Sequence, residues 1–239
     1  LRGLVRFLVL YVAAALSVVL LWVVSAPLGL ALFLATSALH FGLGDAPMAV
    51  ESPSRRRWWR VAAHGAAPIV LPAAAHPGDV AEVFGWLLVL PRASVEPFVA
   101  AVVPLALVGW AGCVVAGYSG LDRTLPALRR GLLELGLLGL TFVLLPPLLS
   151  FAVYFCAWHS VRHLITVDAV LGPGLRARGV VVALAVLAAT ALLLAAGHFA
   201  ASDPASIESM TRSLFVALAA LTPPHMIVTA VLDRRVASG

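Results

Sequence analysis

Eight long apolar stretches dominate this sequence and limit its fold more than any other feature. Each has about 17 to 26 residues, and segments with Pro, Gly or Ser separate most of them. A helix needs roughly 20 apolar residues to cross a bilayer. We therefore predict an all-α fold, a polytopic transmembrane helix bundle that forms one domain over residues 1–239. The stretches are 4–24, 27–43, 57–74, 95–118, 127–145, 147–170, 177–199 and 207–232.

The composition excludes a water-soluble globule. Hydrophobic residues make up 62% of the chain and charged residues 11%, and the mean hydropathy is +1.04. A soluble domain is about half apolar and a quarter charged. A ninth apolar stretch, 80–90, is too short to span comfortably, so we predict a short interfacial helix there.

The arginines predict the orientation in the membrane. If 80–90 does not cross, thirteen of the sixteen arginines fall on one side, Arg92 and Arg212 fall on the other, and Arg162 lies within a span. Basic residues concentrate on the cytoplasmic side of membrane proteins. We therefore predict eight spans in the cell (inner) membrane with both chain ends cytoplasmic. The net charge of +5 is thus explained by topology and does not indicate nucleic-acid binding.

Labelling of single introduced cysteines tests this topology. Ala205→Cys is expected to react with an impermeant thiol reagent from outside the cell, and Ser54→Cys only from inside. The reverse result at either position would contradict the predicted orientation.

The seven histidines separate by depth in the predicted spans, at about 1.5 Å of rise per residue. His76 and His198 fall near the non-cytoplasmic face, where interfacial or loop positions explain them. The other five lie in the cytoplasmic halves of four helices, which predicts a shared polar site. These five are His40, His64, His159, His163 and His225.

The segment 158–163, WHSVRH, is the most specific element. His159 and His163 are four residues apart, so they share one helix face and could chelate one ion. The same span carries Arg162 and Asp168, which are costly in a membrane without partners. An imidazole ligand set suits Fe, Cu or Zn and argues against Mg or Ca.

The segment 37–45, SALHFGLGD, places His40 near a helix end with Asp45 just beyond it. Asp45 could orient an imidazole from behind, or it could simply be solvated at the interface. Glu134, on the helix before the HxxxH helix, could pair with Arg162 or accept a hydrogen bond from a ligand histidine.

His64 and His225 have less definite roles. His225 follows Pro223-Pro224, and prolines inside a span interrupt helix hydrogen bonds, which is tolerated beside a cavity or under protein cover. Each histidine could be a metal ligand, a group that supports a ligand, or part of a substrate pocket.

Two other classes of function remain open from the residues alone. A cytochrome b type protein would use two of these histidines as axial haem ligands, although an intramembrane HxxxH favours one bare metal ion. A transporter would use them as a proton relay and would need no metal. An optical spectrum separates the first class from a bare-iron enzyme, because haem gives a Soret band.

Four segments together resemble the Brp/Blh family of membrane-bound bacterial and archaeal β-carotene 15,15′-dioxygenases. They are SALHFGLGD at 37–45, HGAAP at 64–68, YFCAWHSVRH at 154–163 and PPH at 223–225. The resemblance implies an oxidoreductase with non-haem Fe(II) as its cofactor. It would cleave β-carotene or a related carotenoid, taken from the membrane lipid, with O2 to give two retinal molecules. A rhodopsin-type protein is an expected acceptor of the retinal.

The resemblance also implies roles for particular residues. His40, His159 and His163 match three of the family's four iron-binding histidines. The fourth belongs to a Pro-His-Gly-x-x-Asp motif that this sequence lacks, so we expect the chain to be truncated at its N-terminus or another histidine to substitute. Tyr154, Phe155 and Trp158 are candidate walls of a substrate tunnel, although core packing explains them equally well.

Overall fold

The structure, a computed structural model, describes residues 2–46, 54–119, 126–163 and 206–237. Within those ranges all regular structure is helical, which confirms the all-α prediction. A π-helix continues directly from α7 and passes into a helical turn over 160–163. The helices are α1 Arg2–Val24, α2 Ala26–Asp45, α3 Ser54–Ala75, α4 Pro77–Leu88, α5 Arg92–Tyr118, α6 Pro126–Leu144, α7 Pro147–Ala152, π1 Val153–His159 and α8 Ile207–Ala237.

Three of the described helices are long and apolar enough to cross a membrane: Val5–Val24, Ala26–Asp45 and Arg92–Tyr118. These helices support a membrane protein, as predicted. The stretch 80–90 forms most of the 12-residue α4. Its interfacial position, the total of eight spans and the cytoplasmic ends stay predictions. The predicted span 177–199 lies outside the described residues.

Prolines mark several helix starts. Pro77 begins α4, Pro91 precedes α5, and Pro147 begins α7 after Pro146. Proline suits the first helical turn because its missing N–H has no helical partner there and its φ is already helical. In contrast, α8 continues through Pro223-Pro224, so these residues do not end the last helix.

The chain forms two compact units that interleave along the sequence. The first comprises Leu1–Thr36, Trp86–Val89 and Thr166–Gly239. In this unit the buried Trp22 ring lies 6.4 Å from that of Phe33, and its indole Nε1 donates to the Leu87 carbonyl at 3.4 Å. The Phe33 ring also meets that of Phe215 edge-on at 5.9 Å, which ties α2 to α8.

The second unit comprises Ser37–Gly85 and Leu90–Ile165. Two apolar clusters lie among the described residues of its core. One contains Phe41, Leu138, Phe142 and Tyr154. The other contains Ala67, Tyr118, Leu128 and Leu135. Every predicted site residue except His225 belongs to this unit, and the first cluster packs beside the predicted histidines.

Two glycines bring α2 and α3 into backbone contact in the second unit. A Cβ atom on Gly65 would overlap the carbonyl oxygen of Ala38, and one on Gly42 would overlap that of Val61. Backbone atoms cannot move aside as a flexible side chain can. This close approach holds α3 against the part of α2 that carries His40.

We expect Gly65→Ala to lower the free energy of unfolding by about 1–3 kcal/mol, the usual cost of overpacking. Gly112→Ala is the matched control, because in the described part of the chain no atom beyond the adjoining residues and backbone of α5 lies within 4 Å of a Cβ at that position. Since alanine is the better helix former, the control should be neutral or slightly stabilising. Thermal unfolding of both variants in detergent measures the difference, and equal stabilities would contradict the backbone contact.

Candidate functional site

The end of α2 and the end of π1 bring two histidines into contact. The Nε2 atom of His159 lies 3.1 Å from the Nε2 atom of His40, and the ring centroids are 4.9 Å apart. His159 is only 5% exposed. Gly44 gives its ring room, since a Cβ there would lie 3.3 Å from the His159 Cε1 atom.

Asp45 lies behind His159, and this position determines which ring nitrogen faces His40. The Nδ1 atom of His159 is 3.2 Å from the Asp45 Oδ2 atom. A carboxylate only accepts, so a neutral His159 carries its proton on Nδ1 and a lone pair on Nε2. Either His40 donates an N–H to that lone pair, or both Nε2 lone pairs face one cation. A histidine backed by a carboxylate in this way is typical of metal ligands.

His163 is a neighbour of this pair. Its ring centroid lies 6.4 Å from that of His159, with the two planes nearly parallel at 4°, and 6.4 Å from that of His40. The HxxxH spacing thus places both rings on one side of the helix. However, the described residues contain no group of three or more His, Cys, Asp or Glu side chains that could already hold one metal ion. The three rings are neighbours, with centroids 4.9 to 6.4 Å apart.

Asp45 is held on several sides. The Tyr154 hydroxyl donates to the same Oδ2 atom at 2.6 Å. Arg162 donates from Nη1 to the Asp45 backbone carbonyl at 3.2 Å, and the same nitrogen lies 3.7 Å from Oδ1. The Asp45 side chain is 2% exposed. It is therefore a buried, partnered carboxylate and not a solvated one.

Arg162 joins this carboxylate to α6. Its Nη2 atom donates to Glu134 Oε1 at 2.6 Å, and Arg130 Nε donates to the same oxygen at 2.7 Å. The guanidinium also lies 5.5 Å from the ring centre of Trp158. The sequence predicted either Arg162 or a ligand histidine as the partner of Glu134, and the structure shows Arg162 in contact with it. The charged residues form one connected network beside His159.

Aromatic rings cover the histidine pair. Phe41 meets the His159 ring at 4.8 Å, and Phe155 stacks on it at 6.2 Å. Phe155 and Trp158 are partly buried against the Phe41 cluster, whereas Tyr154 is 1% exposed and donates to Asp45. Their role as tunnel walls stays a prediction. Sequence reasoning missed Phe41, although its position directly after His40 was a usable signal.

The remaining predicted histidines lie apart from this group or outside its unit. Within the described chain, His64 has its hydrogen bond and ring contact with Tyr118, at 2.7 Å from Nε2 to the hydroxyl. His76 contacts the carbonyl of Val143 at 3.1 Å. His225 belongs to the other unit. His198 and Asp168 lie outside the described residues.

Comparison with known proteins identifies the family. A family model described as "BCD: Beta-carotene 15,15′-dioxygenase" matches residues 1–233. A protein of an uncultured marine bacterium, 66A03, named Beta-carotene 15,15′-dioxygenase, is 29% identical over 226 residues, covering 92% of this chain and 78% of that protein. A protein of Halobacterium salinarum named Probable beta-carotene 15,15′-dioxygenase Blh is 36% identical over 110 residues, covering 41% of this chain and 32% of that one. No solved structure matches the chain. Since the family model spans nearly the whole sequence, the chain belongs to the β-carotene 15,15′-dioxygenase family.

Proposed function

We propose that this protein cleaves the central 15,15′ double bond of β-carotene with O2 and releases two molecules of retinal. The family match over residues 1–233 supports this reaction. The contact between His159 and His40, with Asp45 behind His159, is the observation that supports a metal site for it. The apolar helices of the protein suit a substrate that dissolves in the bilayer, as a carotene does.

We propose Fe(II) as the metal and His40, His159 and His163 as ligands. The 3.1 Å between the two Nε2 atoms is less than two metal–imidazole bonds of about 2.0–2.1 Å each, so both nitrogens can reach one ion from adjacent positions. The His163 ring centroid lies 6.4 Å from those of both histidines, and we propose that His163 becomes the third ligand when iron binds. His64 is left out of this ligand set because its Nε2 atom contacts the Tyr118 hydroxyl.

The same distance argues against the haem alternative for this pair. Axial ligands lie on opposite faces of a haem, so their nitrogens are separated by two full bonds, about 4 Å. The Nε2 atoms of His40 and His159 are closer than that. The transporter alternative gains no specific support from the described residues.

The protein's own contribution is orientation and exclusion of water. Neutral imidazoles add no charge to an apolar site, and a buried charge would be costly there. Asp45 holds the His159 tautomer that presents Nε2, while Phe41 and Phe155 cover the ring. Bound iron would supply the oxygen chemistry. We propose that Phe155 and Trp158, which pack against the Phe41 cluster beside the histidines, guide the polyene.

Expression in a β-carotene-producing host tests the proposal. We expect retinal in extracts of cells that carry the gene and none in cells with the empty vector. Purified protein should contain iron near one atom per chain and show no Soret band. Retinal formation by protein free of iron would contradict the proposed metal. A Soret band would favour the cytochrome b alternative, and a failure to form retinal would contradict the proposed reaction.

A further inference from the structure

One oxygen atom of Asp45 serves two residues of the same helix. Its Oδ2 atom accepts from the Tyr154 hydroxyl at 2.6 Å and faces His159 Nδ1 at 3.2 Å. We propose that Tyr154 is a positioning residue of the iron site, which acts through Asp45 to hold His159 in the orientation and tautomer that present Nε2 to the metal. This inference rests on the proposed function, because it assumes that His159 is a metal ligand.

The π-helix explains how both residues reach one atom. Tyr154 and His159 are five positions apart, and in an α-helix such residues point about 140° away from each other. The segment Val153–His159 instead has π-helical geometry, with the Ser160 N–H donating to the Phe155 carbonyl five residues back. Residues five apart then lie on nearly the same side. Their rings are 6.1 Å apart, and both face α2.

Arg162 and His159 both lie near the Asp45 carboxylate, and the Tyr154 hydroxyl keeps its Oδ2 atom on His159. The Arg162 Nη1 atom lies 3.7 Å from Oδ1, and rotation of the carboxylate would let it form a closer ion pair there. Such a rotation would draw Oδ2 away from His159. The 2.6 Å bond from the buried Tyr154 hydroxyl opposes it, because a short hydrogen bond to an ionised group is among the stronger ones in proteins. Without that bond, the His159 Nδ1–H loses its fixed acceptor.

The direct test compares two buried tyrosines. Tyr154→Phe and Tyr118→Phe each remove a hydroxyl that lies within 2.7 Å of a polar side chain, Asp45 in one case and His64 in the other. Both tyrosines are almost fully buried, so the two variants have similar structural consequences. Anaerobic equilibrium dialysis of the metal-free protein against Fe(II), repeated with Co(II), measures the dissociation constant in each.

We expect Tyr154→Phe to weaken metal binding by about 10-fold, the lower end of the effect of residues that support metal ligands. Tyr118→Phe should stay within about 2-fold of the parent, because its hydroxyl supports a histidine outside the proposed ligand set. Equal weakening in both variants would mean a general loosening of the bundle and would overturn the proposal. An unchanged affinity in Tyr154→Phe would overturn it as well.

A double-mutant cycle tests whether Tyr154 acts through Asp45. Asp45→Asn is expected to weaken metal binding by about 10- to 100-fold. If Asp45 transmits the effect, adding Tyr154→Phe should change the affinity by no more than about 2-fold. Multiplicative losses would show that Tyr154 acts independently and would overturn the proposal. If Tyr154→Phe does not fold, Asp45→Asn alone must still lower affinity, and an unchanged value would overturn the proposal.

The same measurements separate this inference from the proposed function. A parent protein that binds neither Fe(II) nor Co(II) would contradict the metal site itself, and the positioning role would fall with it. A parent that binds metal and forms retinal, with a Tyr154→Phe variant of equal affinity, would leave the proposed function intact and remove only the role of Tyr154.

Discussion

Replacement of His159 or His163 by alanine is expected to lower retinal formation by more than about 100-fold, beyond the usual 10- to 100-fold effect of a residue that only supports a ligand. Bound iron should fall with it. The Nδ1 atom of His159 contacts the Asp45 carboxylate, and its Nε2 atom contacts the His40 ring. Alanine would remove a proposed ligand and leave the buried carboxylate without that donor. Retinal analysis and iron content, measured in a parent protein shown to be active, give the result.

His76→Ala is the control for this comparison. The His76 ring contacts the Val143 carbonyl at a partly exposed position, away from the His40–His159 pair, so its loss should leave activity and iron near those of the parent. The same outcome is expected for His198→Ala from its predicted depth. A His163→Ala variant that kept its activity and iron would show that His163 is not a ligand. A His76→Ala variant that lost both would place the site elsewhere.

Arg162→Met is expected to lower the free energy of unfolding by about 3 kcal/mol, the lower end for a broken buried ion pair. Arg162 contacts two carboxylates whose side chains are nearly inaccessible, Asp45 at 2% and Glu134 at 6% exposure. Methionine preserves much of the side-chain volume but removes the charge. Arg130 still donates to Glu134, whereas Asp45 loses its nearby cation.

Arg92→Met is the matched control for this substitution. Arg92 also pairs with two carboxylates, Glu82 and Glu96, but all three side chains are about half exposed. Exposed ion pairs contribute about 0–1 kcal/mol, so the control should change stability little. Unfolding of both variants in detergent, followed by tryptophan fluorescence, measures the contrast. A similar, small change in both variants would mean that the Arg162 network adds little to stability.

Features that depend on local periodicity and on the surrounding solvent could be predicted from the sequence. Long apolar stretches require helices in a membrane because each helix satisfies its own backbone hydrogen bonds, and described helices lie close to seven of the eight predicted spans. The four-residue spacing of His159 and His163 likewise predicted two rings on one side of a helix, as found. Arg162 was expected to need a partner in an apolar setting, with Glu134 as one candidate, and the two side chains contact each other.

Contacts between residues far apart in the sequence depend on how the helices pack. Asp45 and Tyr154 are separated by 109 positions, and no periodicity in either segment indicates their hydrogen bond. The π-helix Val153–His159 could not be predicted either, because its sequence is equally compatible with an ordinary α-helix. Five similar histidines also could not be sorted by depth alone, and packing placed His64 with Tyr118 and His159 with His40. Local sequence restricts each helix face, whereas the choice among facing partners depends on how close the helices approach, which Gly42 and Gly65 set through backbone contacts.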